Sequence, residues 1–238
     1  MIALSNVFPI YRRELRSYFN SPVAYVVIVV FLAIIGWFFT SNLFLMNVAS
    51  LRIVFELVPL IFLFFVPAIT MRLLAEEKKS GTLELLATKP VRDVEIVLGK
   101  FLAAWTLLAA TLAPTLLYLI SVMTIGKIDM GPVFTGYLGL LLMGAVYIGI
   151  GLLASSLTEN QIIAFILSFL IVFALFMMDK ILIYVPEGFA STIEFLAIDY
   201  HFSNIARGVI DSRNIIYFGS LLGFSLFLAT VSLERRKW

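Results

Sequence analysis

The side chains able to do chemistry are few, and their spacing limits what that chemistry could be. Glu56 and Asp179 stand inside long apolar runs, where an ionisable group at mid-bilayer costs on the order of 2.5–3.5 kcal/mol and so signals a function or a partner. Arg52 lies four residues before Glu56, which makes a helical i,i+4 ion pair available. An exit-pathway role and a structural pair are therefore the two readings of Glu56. Lys180 follows Asp179 directly, a pattern of adjacent opposite charges at an interfacial helix end. His201 is the single histidine and there is no cysteine, which excludes disulfides, thiolate metal sites and a bis-histidine haem. His201 beside Asp199 is too sparse for a metal site and reads as a cap or a hydrogen-bonding group at an external surface. No histidine and no acidic pair falls within a span, so an intramembrane enzyme has no acid–base or metal constellation to use.

Nucleotide chemistry is not expected of this chain either. Lys100 is followed by Phe101 and Lys127 by Ile128, so there is no G-x-x-x-x-G-K-[ST] loop to cradle phosphates. The chain is expected to be no enzyme and to hold no cofactor of its own.

One polar segment carries more information. It runs Arg72-Leu-Leu-Ala-Glu76-Glu77-Lys-Lys-Ser80-Gly81-Thr82-Leu83-Glu84-Leu85-Leu86-Ala-Thr88-Lys-Pro90-Val-Arg-Asp93. Ser80 or Thr82 can cap a short helix, Gly81 lets the chain reverse, and Pro90 stops the helix by disfavouring helical geometry in Lys89. The expected product is a helix of about two turns. Its Leu83, Leu85 and Leu86 need a cover, either a cytoplasmic partner or headgroups and a neighbouring helix.

The elements that must position these residues are six apolar runs: about Pro22 to Thr40, Ile53 to Met71, Phe101 to Met123, Val133 to Ser155, Ile162 to Tyr184 and Ile215 to Leu233. Each is close to the roughly 20 helical residues that cross a bilayer core. The composition agrees, with 62% hydrophobic and 13% charged residues against about 25% charged in soluble domains. The net charge of +2 is too balanced to suggest nucleic acid. The first run is too long for the apolar part of a cleavable signal peptide and reads as a retained span.

Lysines and arginines divide unevenly between the two sides. Twelve lie on one: Arg12, Arg13, Arg16, then Arg72, Lys78, Lys79, Lys89, Arg92, Lys100, then Arg235, Arg236, Lys237. Five lie on the other: Arg52, Lys127, Lys180, Arg207 and Arg213. The positive-inside rule puts both termini in the cytoplasm. Arg12, Arg13 and Arg16 oppose Phe8, Tyr11, Leu15, Tyr18 and Phe19 on a helical wheel, the pattern of a helix lying in the interface. Phe202, Ile205 and Val209 mark a short external amphipathic helix before the last span. Pro59, Pro67 and Pro114 lie inside spans and permit bends. Glycines concentrate in the fourth span, and Gly219 and Gly223 form G-x-x-x-G in the sixth, for packing within the chain or against another protomer. No internal repeat relates the first three spans to the last three, which weighs against a secondary transporter.

The stretch from Glu77 through Gly81-Thr82-Leu83-Glu84-Leu85-Leu86, Thr88-Lys-Pro90, to Glu95-Ile-Val-Leu-Gly99-Lys100 resembles the signature between the second and third spans of type-2 ATP-binding-cassette (ABC) exporter permeases. The specific match covers about 25 residues; the six spans and the amphipathic N-terminal helix extend it over the chain. Tyr200 to Asp211 further resembles the gliding-motility-associated branch. The resemblance implies one all-α transmembrane permease domain over residues 1–238, with an N-terminal interfacial helix, a cytoplasmic coupling helix at about Thr82 to Thr88, and short external helices before the last span. It implies ATPase-coupling roles for Glu76, Glu77, Gly81, Thr82, Leu83, Glu84, Leu85, Leu86, Thr88 and Pro90. It also implies a separate ATPase carrying ATP and Mg, a second permease copy or paralogue, and an auxiliary membrane or periplasmic subunit, in a bacterial inner membrane. The alternative is a non-transporting scaffold or accessory subunit of a cell-surface machine that uses the same segment to hold a cytoplasmic protein.

Overall fold

The computed structural model describes residues 6–45, 50–82, 91–126, 128–181 and 193–235. They form helices joined by turns: α1 (Val7–Asn20), α2 (Pro22–Leu45), α3 (Arg52–Thr70), α4 (Arg72–Lys79), α5 (Asp93–Leu112), α6 (Leu116–Ile125), α7 (Met130–Leu157), α8 (Gln161–Ile181), α9 (Ile198–Ala206) and α10 (Ser212–Glu234). Six helical stretches are long and apolar enough to cross a membrane: α2, α3 with α4, α5 with α6, α7, α8 and α10. The expected all-α, six-span class is therefore observed. The boundaries differ from those read from sequence because hydropathy registers bilayer thickness, whereas a helix continues while its hydrogen bonds continue. The second stretch runs to Lys79 and the third starts at Asp93. Residues 83–90, which hold most of the expected coupling helix, lie outside the described residues, as does the expected end of the fifth span at Tyr184.

The centre of the bundle is α7: 78% of its most apolar window is buried, against 22% for α2 and α8. It touches α3, α4, α5, α8, α9 and α10. Lipid tails are as apolar as leucine, so close van der Waals packing rather than the hydrophobic effect holds such helices together. The glycines of α7 make that approach possible. A Cβ on Gly136 would stand 2.6 Å from the Phe55 ring of α3, and one on Gly151 would stand 2.0 Å from Thr70 Oγ1. Within-chain packing is thus the role of the glycines in the fourth span. Gly219 and Gly223 of α10 instead face open space among the described residues, with nothing of those within 4 Å of an added Cβ.

The second stretch breaks between α3 and α4, four residues after Pro67. Ser155 Oγ of α7 occupies the break: it accepts from Leu74 N at 3.0 Å and Ala75 N at 2.9 Å and donates to Met71 O at 2.9 Å. Those amides belong to the first turn of α4, where a helix has no carbonyl of its own to offer. The third stretch breaks at Pro114, where residues Ala113–Thr115 form a 3-10 turn between α5 and α6. Thr115 Oγ1 closes onto Leu112 O at 2.6 Å.

At the other end of α7, α9 lies against the bundle with Phe202 and Ile205 buried. Val209 falls past the end of α9 and is exposed, so it is no part of the amphipathic face expected of it. Gly208, at φ 98°, turns the chain out of α9.

Candidate functional site

The structure gathers charge at two ends of the bundle. At the end that carries α1 and α4, Lys100 is 1% exposed and lies 2.9 Å from Glu77 and 3.3 Å from Glu14. Arg13 Nη2 reaches the same two carboxylates, at 2.9 Å from Glu14 and 3.0 Å from Glu77. Two cations and two anions from α1, α4 and α5 thus form one neutral, mostly buried quartet. Burial raises the Glu14 carboxyl, but the Lys100 charge and the Arg13 hydrogen bond outweigh it and hold Glu14 below its ordinary value near 4.5. Burial likewise opposes the Arg13 charge, and its hydrogen bond to Glu14 more than reverses the effect. Tyr18, enclosed beneath the quartet, donates to Ile69 O at 3.3 Å, and burial pushes its phenol up.

Local sequence explains how these side chains arrive there. α1 packs along α5, with Ile10 against Gly99: a Cβ at that glycine would meet Ile10 at 2.7 Å. Glu95 pins the two helix starts together, accepting from Arg92 N at 2.9 Å, Asn6 N at 3.1 Å and Asn6 Nδ2 at 3.2 Å. On the other side of α4, Lys78 Nζ donates to the carbonyl of Ser156. α4 is therefore held by α1, α5 and α7 at once. Immediately beyond it, Gly81 adopts φ 69°, the left-handed geometry that favours glycine. The short helix that Ser80 or Thr82 is expected to cap lies outside the described residues. The hydroxyls of Ser80 and Thr82 bond each other at 2.9 Å and turn back onto Glu77 O, at 3.3 and 3.4 Å, closing the end of α4.

Of the residues expected to couple, Glu77 enters the quartet, while Glu76 is exposed and 3.9 Å from Arg72. Gly81 and Thr82 form the turn. Leu83, Glu84, Leu85, Leu86, Thr88 and Pro90 lie outside the described residues. Of the interfacial arginines, Arg12 and Arg16 are exposed, whereas Arg13 turns to the quartet. Sequence reasoning missed Glu14 and read Lys100 only as a charge at the head of a span. A lysine in that position looks like a cytoplasmic marker, and nothing local reveals that two distant glutamates enclose it.

At the opposite end, α3, α7, α8 and α9 surround a cavity of about 1010 Å³. Arg52, Glu56, Asp129, Lys180, Asp199 and Arg207 supply its charged lining. Leu51, Phe55, Leu60, Val133, Phe176 and Phe202 supply apolar walls. The anticipated Arg52–Glu56 pair forms, at 2.7 Å. Lys180 bridges Asp179 at 3.1 Å and Asp199 at 2.6 Å. Of the two expected pathway acids, Glu56 lines the cavity and Asp179 reaches it only through Lys180. His201 is bonded, as expected, but it is buried rather than at a surface. Its Nδ1 lies 2.7 Å from Asn214 Oδ1, its Nε2 lies 2.9 Å from Phe195 O, and its ring stacks on Tyr217 with centroids 3.9 Å apart. Among the described residues no group of three or more His, Cys, Asp or Glu could hold a metal ion.

No curated protein matches the chain. A family model does, and it resolves the family without resolving the gliding-motility branch. The model described as ABC-2 family transporter protein matches residues 3–233, so this six-span chain belongs to the ABC-2 family and is a membrane permease subunit of an ABC transporter.

Proposed function

We propose that the chain forms half of a substrate pathway, paired with a second permease, and that a separate ATPase drives it by docking on the segment after Thr82. A six-helix unit without internal duplication supports the pairing, since closed two-fold assembly is the commonest way to complete such a unit. ATP and Mg belong to the ATPase. Both termini lie in the cytoplasm of a bacterial cell, with α1 in the interface of the inner membrane.

The observation that carries the reading is the position of Glu77. It stands one turn before the Gly81 reversal and is gripped by Lys100 and Arg13. A force on the following segment therefore meets a braced helix, not a loose linker. The test is co-purification and coupled transport with the cognate ATPase. Leu86→Asp places a charge in the docking surface, and Gly81→Val puts a β-branched residue at a left-handed φ. Both should lose ATPase association or coupling while membrane insertion persists. Wild-type coupling in both would reduce the segment to a retention loop.

A further inference from the structure

We infer that the outer cavity is a binding site for a zwitterionic amphiphile, a chain whose polar head carries both a positive and a negative charge. The inference deepens the permease reading by naming a ligand class for this end of the molecule. It rests on that reading only for why a ligand would be delivered there.

Size comes first. At about 1010 Å³ the cavity lies at the upper end of pockets that enclose drug-sized ligands. Its polarity is graded with depth. Arg52 opens α3 and Leu60 lies eight residues further on, about 12 Å along the helix at 1.5 Å per residue. On α8, Lys180 stands one turn outside Phe176. On these two helices Arg52, Glu56 and Lys180 thus lie outside Leu60 and Phe176, while Phe55 and Phe202 add apolar wall between the charged positions of α3 and α9. Leu60 is 45% exposed, so the lower wall does not close around its contents. A wholly polar solute would desert the lower half, and a plain hydrocarbon would strip water from the charged rim.

The sign of the head follows from the rim. Among the described residues, three cations, Arg52, Lys180 and Arg207, and three anions, Glu56, Asp129 and Asp199, line the cavity. Internal pairing does not exhaust them. Arg52 engages Glu56 through Nε, leaving its other guanidinium nitrogens to donate. Arg207 makes no ion pair among the described residues. Asp129 spends one oxygen on the Gly131 amide at the head of α7. A head of one sign would face three like charges, and like-charge juxtaposition is what specific surfaces use to reject a ligand. A head carrying both signs meets complementary groups throughout.

The experiment uses the purified full-length permease in a nonionic detergent, without ATPase, and three radiolabelled probes of identical chain length: an alkyl phosphocholine, an alkyl phosphate and an alkyl trimethylammonium. Saturable binding of the phosphocholine, about tenfold tighter than either singly charged probe, is expected. Glu56→Gln, at an exposed position, removes one rim anion and frees Arg52; it should shift the preference toward the alkyl phosphate by about tenfold. Arg207→Gln should weaken phosphocholine binding and leave trimethylammonium binding no weaker. Equal binding of all three heads, unsaturable uptake, or an unchanged preference in Glu56→Gln would overturn the proposal. Because no ATPase is present, Leu86→Asp should bind like wild type. A failure of coupling and a failure of the cavity thereby give separate results.

Discussion

Replacing Lys100 by Met would keep most of the side-chain volume and delete the charge at the middle of the quartet. Lys100 is 1% exposed, and its partners Glu14 and Glu77 are 14% and 16% exposed, so water cannot readily take its place. Removing one member of a buried ion pair costs about 3–5 kcal/mol, because the remaining charge stays buried without compensation. Here two carboxylates would share the half-exposed Arg13, which places the cost near the lower end, about 3 kcal/mol. For a chain of this size each kcal/mol moves the midpoint by roughly 2–4 °C, so the thermal transition in detergent should fall by about 6–12 °C. The double variant Glu77→Gln/Lys100→Met removes one charge of each sign and leaves Arg13 with Glu14. It should regain about 2 kcal/mol of the loss, since directly interacting sites couple by about 0.5–3 kcal/mol. The native quartet need not be more stable than an apolar replacement, since buried ion pairs often are not. A single variant melting within 2 °C of wild type, or a double variant no better than the single, would refute the quartet as a buried, mutually compensated unit.

Ser155→Ala deletes the hydroxyl that serves Leu74 N, Ala75 N and Met71 O, and should cost about 1–3 kcal/mol through unsatisfied groups at the α3–α4 break, read as a lower melting midpoint. Gly151→Ala drives a methyl into Thr70 and should destabilise by about 1–3 kcal/mol, whereas Gly219→Ala meets open space and should match or slightly exceed wild type. Glu14 titrates below its ordinary value in the folded chain, so its contribution is present above that value and is lost as pH falls from about 4.5 through the folded pKa. Glu14→Gln should therefore show a shallower loss of melting temperature over that acid range. Cysteines placed singly at Lys79 and Ser212, both exposed in a chain without cysteine, should label from opposite sides of the membrane, and same-side labelling would end the six-span topology.

The spans were legible because an uncharged run of sufficient length has one physical explanation. The Arg52–Glu56 pair was legible for a related reason: four residues on a helix is a contact distance, whatever the tertiary fold. The quartet was not, because Glu14, Glu77 and Lys100 approach one another only after α1 lies along α5 and α4 continues α3. His201 failed in the same way. Its polarity suggested a surface, but Asn214 and the Phe195 carbonyl supply both its ring nitrogens with partners inside the fold. Glycine patterns divided instructively. Those of α7 are filled by Phe55, Thr70 and other neighbours, while an added Cβ at Gly219 or Gly223, which make the better-known motif, would meet no atom of the described residues. Motif alone does not distinguish a face that packs from a face that is open.

The arrangement around α4 constrains how movement could pass between the two charged ends. α4 is tied to α5 through Lys100, to α1 through Arg13, and to α7 through Ser155 and Lys78. Sliding α4 past α5 would separate buried opposite charges, which is costly in a poorly solvated site. Tilting α4 together with α1 and the near end of α5 keeps every ion pair intact. Such a tilt works instead against the ties from α4 to α7, the Ser155 bonds and the Lys78 contact with the Ser156 carbonyl. α3 continues from the break to the cavity, where its first two turns carry Arg52, Phe55 and Glu56. If the ATPase acts on the segment after Thr82, its displacement must cross the α3–α4 break at Ser155 and the Pro67 and Pro59 positions of α3 before it reaches the cavity wall, so Ser155→Ala is expected to weaken coupling between the two ends.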